Sequence, residues 1–239
     1  MIRSVTPHEI VIDVPSMNAL NAELMRWLRK KLAEAAGAPV LITGRGKALS
    51  AGLDIPEVTA LDRDGLRSFL TLLDDMVLDF YTYPGPMVAW VNGHAIAGGC
   101  VIALCCDARI AARDSRGRMG LNEVAMGVRF PPRVMALVQD RIPRQHYERV
   151  VLGAELHPME TALELGLLDA LAEDAEAAAR ERLALLGSHP ADAYAAAKCP
   201  RRRKALEIDE ATRRRWEEED LPVWWSEPVR ALLRARLEK

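Results

Sequence analysis

Four short runs of nearly continuous apolar residues constrain this chain most: His8 to Val14 (HEIVIDV), Pro39 to Thr43 (PVLIT), Pro86 to Val91 (PMVAWV) and Ala108 to Ala112 (ARIAA). Each has strand length, and β-branched residues are frequent among them. A strand that reads apolar throughout is buried on both faces, as in parallel sheets covered by helices. Between the runs the spacing changes to that of helices. Leu24, Leu28 and Leu32 recur every fourth residue with Met25 beside them, predicting a helix that ends near Gly37. Leu66, Phe69, Leu70, Leu73, Val77 and Phe80 share one face of a second helix from about Asp62 to Tyr81. An apolar helix through Cys106 follows the loop NGHAIAGG. This alternation predicts an α/β fold with its ligand at the loops that leave the strand ends.

From about Arg133 the strand signal fades. VMALVQDRI, HYERVVLGA, PMETALELGLL and DAEAAARERLALLG read as helices, with Gly153, Gly166 and Gly187 as stops. The Pro-Arg-rich stretch from Cys199 to Lys204 reads as a change of subdomain, dividing a core over residues 1–190 from a helical region over 191–239.

Composition narrows the function classes. With 32 Lys and Arg against 34 Asp and Glu over 239 residues, the net charge is -2, without the basic footprint of a nucleic-acid binder. The four cysteines form no CxxC pair, which argues against zinc or a disulfide framework and for a reducing compartment. The longest apolar run, Ala95 to Cys106, is far short of the roughly 20 residues of a membrane span. The N-terminus MIRSVTPHEI lacks a signal-like apolar core, so a cytoplasmic location is expected. Arg201 to Lys204, and Arg213 to Arg215 ahead of Glu217 to Glu219, read as solvated helix faces with charge pairs.

Three segments carry candidate chemistry. Gly44 to Asp54 (GRGKALSAGLD) is glycine-punctuated and small, so a ligand can approach its backbone amides. It is neither a dinucleotide fingerprint, since Leu49 occupies the third glycine position, nor a P-loop. Ser50 in A-L-S-A-G is a near miss to a nucleophile elbow, with no evident histidine partner. In the second segment, Gly98 and Gly99 introduce a helix whose first amides are unpaired. The nearby His94 reads more readily as structural or solvated than as catalytic. In the third, MGLNEVAMGV, Asn122 and Glu123 are the polar residues of an apolar decapeptide. Such a carboxylate is either a paired structural group or a base whose pKa is raised by desolvation, and the residues alone leave the two readings equal.

Together, P-S-M-N-A-L (15–20), G-R-G-K-A-L-S-A-G-L-D (44–54), V-N-G-H-A-I-A-G-G (91–99), C-D-A-R-I-A (106–111) and A-L-E-L-G-L-L-D (162–169) resemble the crotonase, or enoyl-CoA hydratase/isomerase, superfamily. The resemblance implies stacked ββα units followed by a helical region, assembled as a homotrimer or a dimer of trimers. It implies an acyl-CoA substrate with no separate cofactor, while the composition and spacing above lead to the expectation of no metal, no nucleic acid and no membrane partner. By position, the amides of Leu53 and Gly98 would form the oxyanion hole. Lys47, Ala48, Ser50, Ala51, Gly52, Asp54 and Ile55 would line the CoA path, with Asn122 beside the catalytic Glu123.

Hydratases of this family carry one glutamate after G-G-C and another in the later G-x-x-E segment. Here the first position is Val101, and a valine cannot activate water. The segments AGGCVIALCCDARI and GLNEVAMGV instead resemble Δ3,Δ2-enoyl-CoA isomerases, where one glutamate moves a proton from C2 to C4. The alternatives are another enolate reaction (decarboxylation, thioester hydrolysis or weak hydration) and a non-catalytic acyl-CoA-binding subunit. Arg129, Phe130 and the Pro131-Pro132 pair suggest an unusual acyl pocket, and LPVWW (221–225) reads as core or subunit contact.

Overall fold

The computed structural model describes residues 8–235; residues 1–7, on which the leader reading mostly rests, and 236–239 lie outside the described residues. In chain order the elements of the first half are β1 (His8–Ile12), α1 (Pro15–Asn18), α2 (Ala22–Ala35), β2 (Val40–Gly44), β3 (Ala48–Ser50), α3 (Ile55–Ala60), α4 (Arg63–Tyr81), β4 (Met87–Val91), β5 (His94–Ile96), α5 (Gly98–Cys105), β6 (Ala108–Ala112) and β7 (Met119–Gly120). The second half adds α6 (Pro132–Arg141), α7 (Met159–Glu164), β8 (Ala170–Ala172), α8 (Ala175–Gly187), α9 (Ala191–Ala205), α10 (Glu210–Arg215) and α11 (Glu227–Arg234).

The strands form two parallel sheets. One has the order β1-β2-β4-β6-β8, the other β3-β5-β7. Each of β2, β4 and β6 is therefore followed by a strand of the smaller sheet and then by a helix, which is a ββα unit repeated along the chain. The apolar runs are buried on both faces as expected. Val40 and Ile42 face the main cluster with α2 and α4, while Leu41 and Val88 face Ala175, Ala179 and Leu183 of α8. Helix starts follow their caps: Asn21 Oδ1 accepts from Leu24 N at 2.7 Å, and Asp62 Oδ1 from Gly65 N at 2.8 Å. Strands β3 and β5 lie within stretches expected to be loop, because three-residue strands are too short to show a period.

Residues Cys199 to Lys204 lie within α9, with Pro200 inside it. The tail departs from expectation in its arginine run, which is not wholly solvated, because Arg202 is buried. Its guanidinium meets Asp107 Oδ1 at 2.8 Å, donates to Cys105 O at 3.0 Å and lies over the Tyr81 ring. Lys198 takes the other Asp107 oxygen at 2.8 Å. A cation here follows from unpaired carbonyls at the end of α5 and a buried carboxylate. Leu206, Trp216, Leu221, Trp224, Val229 and Leu233 of the tail join the same cluster as α2, α4 and α5. Among the described residues no helix is long and apolar enough to cross a membrane.

Candidate active site

The P-S-M-N-A-L segment builds the first wall. Its residues Ser16, Met17 and Asn18 are wound left-handed, with φ of 57°, 55° and 60°. Asn18 stabilises that turn by accepting from Val14 N and donating to Arg45 O and Ala48 O, which fastens it to β3. Leu20 then bridges Leu53: Leu20 N donates to Gly52 O at 2.7 Å, and Asp54 N to Leu20 O at 3.0 Å. In such a parallel bridge the N–H of the central residue, Leu53, points away from its partner strand.

The smaller sheet sets the second wall beside the first. Its register pairs Ala48 with His94 and Ser50 with Ala95, so the loop after β3 meets the start of α5. The approach is too close for side chains. A Cβ on Gly99 would stand 2.2 Å from Ser50 O, and one on Gly52, whose φ is +94°, would stand 3.0 Å from Ile96 O and 3.4 Å from Gly98 N. Ala97 turns the chain into α5 at φ 48°, ψ −115°, a backbone conformation that costs on the order of 1–3 kcal/mol. No hydrogen bond among the described residues uses the N–H of Leu53 or Gly98.

Both residues line a cavity of about 210 Å³ together with Glu123, Asn122, Val101, Ala51 and Ile55. Strand β7 delivers Glu123 to it. The Glu123 carbonyl accepts from Met126 N and Val128 N, closing a short turn, while Oε2 is buried with no partner. Burial pushes the Glu123 carboxyl up to about 7, opposed by its own backbone N–H. The wider wall comes from Leu73, Phe130, Pro131, Val134, Trp224 and Leu233. Leu73, Val134 and Leu233 could not be read from sequence as lining residues, since on an amphipathic helix they look like core.

Other site residues sit elsewhere. Lys47 is exposed beyond the cavity, and Gly52 and Asp54 support its loop. Ala48 and Ser50 are fully buried, and Ser50 Oγ accepts from Gly52 N at 3.2 Å. A serine held there is not a nucleophile. His94 Nδ1 accepts from Arg118 N, a structural bond. The four cysteines are buried and free. The arrangement unites two unpaired amides, which can hold an anionic oxygen, with a carboxyl able to exchange a proton near neutral pH.

Two parallel sheets built from repeated ββα units, with this loop pair at their junction, define a crotonase-type fold. The model of the enoyl-CoA hydratase/isomerase family matches residues 6–221, and the chain belongs to that family. A Thermus thermophilus protein named "Putative enoyl-CoA hydratase" is 35% identical over 187 residues, covering 71% of each chain. Human "Enoyl-CoA delta isomerase 1, mitochondrial" is 29% identical over 160 residues, 65% of this chain but only 53% of the human protein's length. Among solved structures, an enoyl-CoA hydratase from Bacillus halodurans shares the fold with a TM-score of 0.83 at 24% identity, covering 98% of both chains. Human mitochondrial delta3-delta2-enoyl-CoA isomerase superposes with a TM-score of 0.81 at 24% identity, over 95% of this chain and 93% of that one.

Proposed function

We propose that this protein isomerises 3-enoyl-CoA thioesters to 2-enoyl-CoA thioesters, with Glu123 as the single acid/base. The Glu123 carboxylate takes a proton from C2, and the electron pair delocalises into a dienolate whose charge falls on the thioester oxygen. The amides of Leu53 and Gly98 hold that oxygen. The carboxylic acid then returns the proton to C4, the pair closes the C2–C3 double bond, and no cofactor is consumed.

The observation that carries this reading is the placing of Glu123, whose Oε2 is buried without a partner, beside Val101 in one cavity. Val101 is 1% exposed and has no atom that can orient water. Hydration needs such a group, whereas proton transfer along a bound dienolate benefits from its absence. The test is a panel of 3-enoyl-, 2-enoyl- and malonyl-type acyl-CoAs, read for double-bond shift, hydration, CO₂ and free CoA. Double-bond shift should dominate and fall roughly 10²- to 10⁴-fold in Glu123→Gln. Dominant hydration, CO₂ release or thioester cleavage would refute the reading. A homotrimeric or hexameric assembly and a cytoplasmic setting belong to the same proposal, testable by light scattering and by fractionation.

A further inference from the structure

We infer that Trp224, a tail residue, limits the size of the acyl group that this cavity accepts; the inference rests on the acyl-CoA reading above. The cavity is chemically divided. Leu53, Gly98 and Glu123 supply its reacting groups, while Leu73, Phe130, Val134, Trp224 and Leu233 are apolar. An acyl chain extending from a thioester held at the first group has the second group to fill. At about 210 Å³ the space is below the roughly 300 Å³ at which pockets bury whole drug-sized ligands, so room along the acyl chain is restricted.

Trp224 is the bulkiest of those wall residues, and it is held in place. The residue is 4% exposed, and Nε1 donates to Arg129 O at 2.9 Å, tying it to the segment that also carries Phe130. The indole thus combines a large apolar surface with a hydrogen bond that fixes its orientation. The helix behind it is seated equally firmly. A Cβ on Gly127, φ +72°, would stand 3.3 Å from Leu232 Cδ1 and 3.5 Å from Val229 Cγ2. The turn that bears Glu123 therefore packs directly on α11, and Arg230 latches α11 to Leu61 O at 2.6 Å. Swinging Trp224 away breaks its bond to Arg129 O. The neighbouring Trp225 is turned elsewhere, with the Arg63 guanidinium 5.5 Å from its ring centroid, and does not line the cavity.

The experiment measures dissociation constants of butanoyl-, octanoyl- and dodecanoyl-CoA by calorimetry for the wild type, Trp224→Ala, Trp224→Phe and Trp225→Ala. Extra methylenes in an apolar pocket are worth roughly 10-fold or more when room exists for them. Trp224→Ala should raise the preference for dodecanoyl- over butanoyl-CoA by at least about 10-fold. Trp224→Phe should move it less in the same direction, and Trp225→Ala should leave it unchanged. Trp224→Phe keeps the wall aromatic, so it remains readable where Trp224→Ala fails to fold. An unchanged ratio in the folded Trp224 variants, or an equal change in Trp225→Ala, would overturn the inference. Saturated thioesters bind without proton transfer, so a wild type that binds them but turns over no 3-enoyl-CoA sinks the isomerase reading alone. Failure to bind any of the three sinks both.

Discussion

Glu123→Gln should make the protein more stable while making it inactive, and the size of the gain follows from the site. The carboxyl is buried without a hydrogen-bond partner for Oε2, and burial raises it from 4.5 to about 7. Because the folded value lies above the unfolded one, the neutral acid is favoured in the folded state. Its contribution is full below about pH 4.5 and is lost as pH rises through about 7. A shift of that size corresponds to about 3 kcal/mol at pH 8, at 1.36 kcal/mol per unit. Glutamine has nearly the same shape and no charge to desolvate, so the variant escapes that cost. Urea unfolding should show it more stable by about 3 kcal/mol at pH 8, with the difference shrinking below about 1 kcal/mol at pH 5. In a chain of this length the gain appears as roughly 6–12 °C in Tm at pH 8. Equal stability at pH 8 would mean that the carboxylate is paired or hydrated, and the reasoning about a desolvated base would fail. The wild-type rate should rise with pH through about 7, since proton abstraction requires the ionised form.

Two substitutions probe the rest of the site. Gly99→Ala drives a Cβ to 2.2 Å from Ser50 O and must separate the two loops. Turnover should fall on the order of 10²- to 10³-fold through loss of one amide donor, with stability down about 1–3 kcal/mol. Gly46→Ala, where nothing lies within 4 Å and only the φ of +77° is strained, should cost about 1–2 kcal/mol and leave turnover intact. Kinetics and thermal melts on the pair separate the two effects. Val101→Glu adds a second carboxyl to the cavity lined by Glu123. Measurable hydration of 2-enoyl-CoA should appear, with a stability loss on the order of 3 kcal/mol above neutral pH from the added buried charge.

The larger sheet was legible because its strands are buried on both faces: Val40, Leu41 and Ile42 all read as apolar, and all three are buried. The smaller sheet was not, since Ala48–Ser50 and His94–Ile96 are defined by neighbours distant in sequence. The glycines showed where backbones could meet, but only the packed structure says that Gly99 answers to Ser50 and Gly52 to Gly98. Glu123 stood out as a carboxylate among apolar residues; its lack of a partner is a property of the fold. The burial of Arg202 is hidden in the sequence because a run of four basic residues looks solvated, and Asp107, its partner, lies 95 residues earlier. Trp224 reads as core and does join the core cluster; that it also walls the cavity is set by the fold, since no local rule tells a cavity wall from a core.

In the proposed reaction one carboxyl carries one proton from C2 to C4. The direct measurement uses 3-enoyl-CoA deuterated at C2 and locates the label in the 2-enoyl product by mass spectrometry and proton NMR. Transfer within a cavity that lacks a water-orienting group predicts deuterium at C4 in the wild type and a double-bond shift reduced roughly 10²- to 10⁴-fold in Glu123→Gln. Product with solvent protium alone at C4, or undiminished isomerisation by Glu123→Gln, would contradict it.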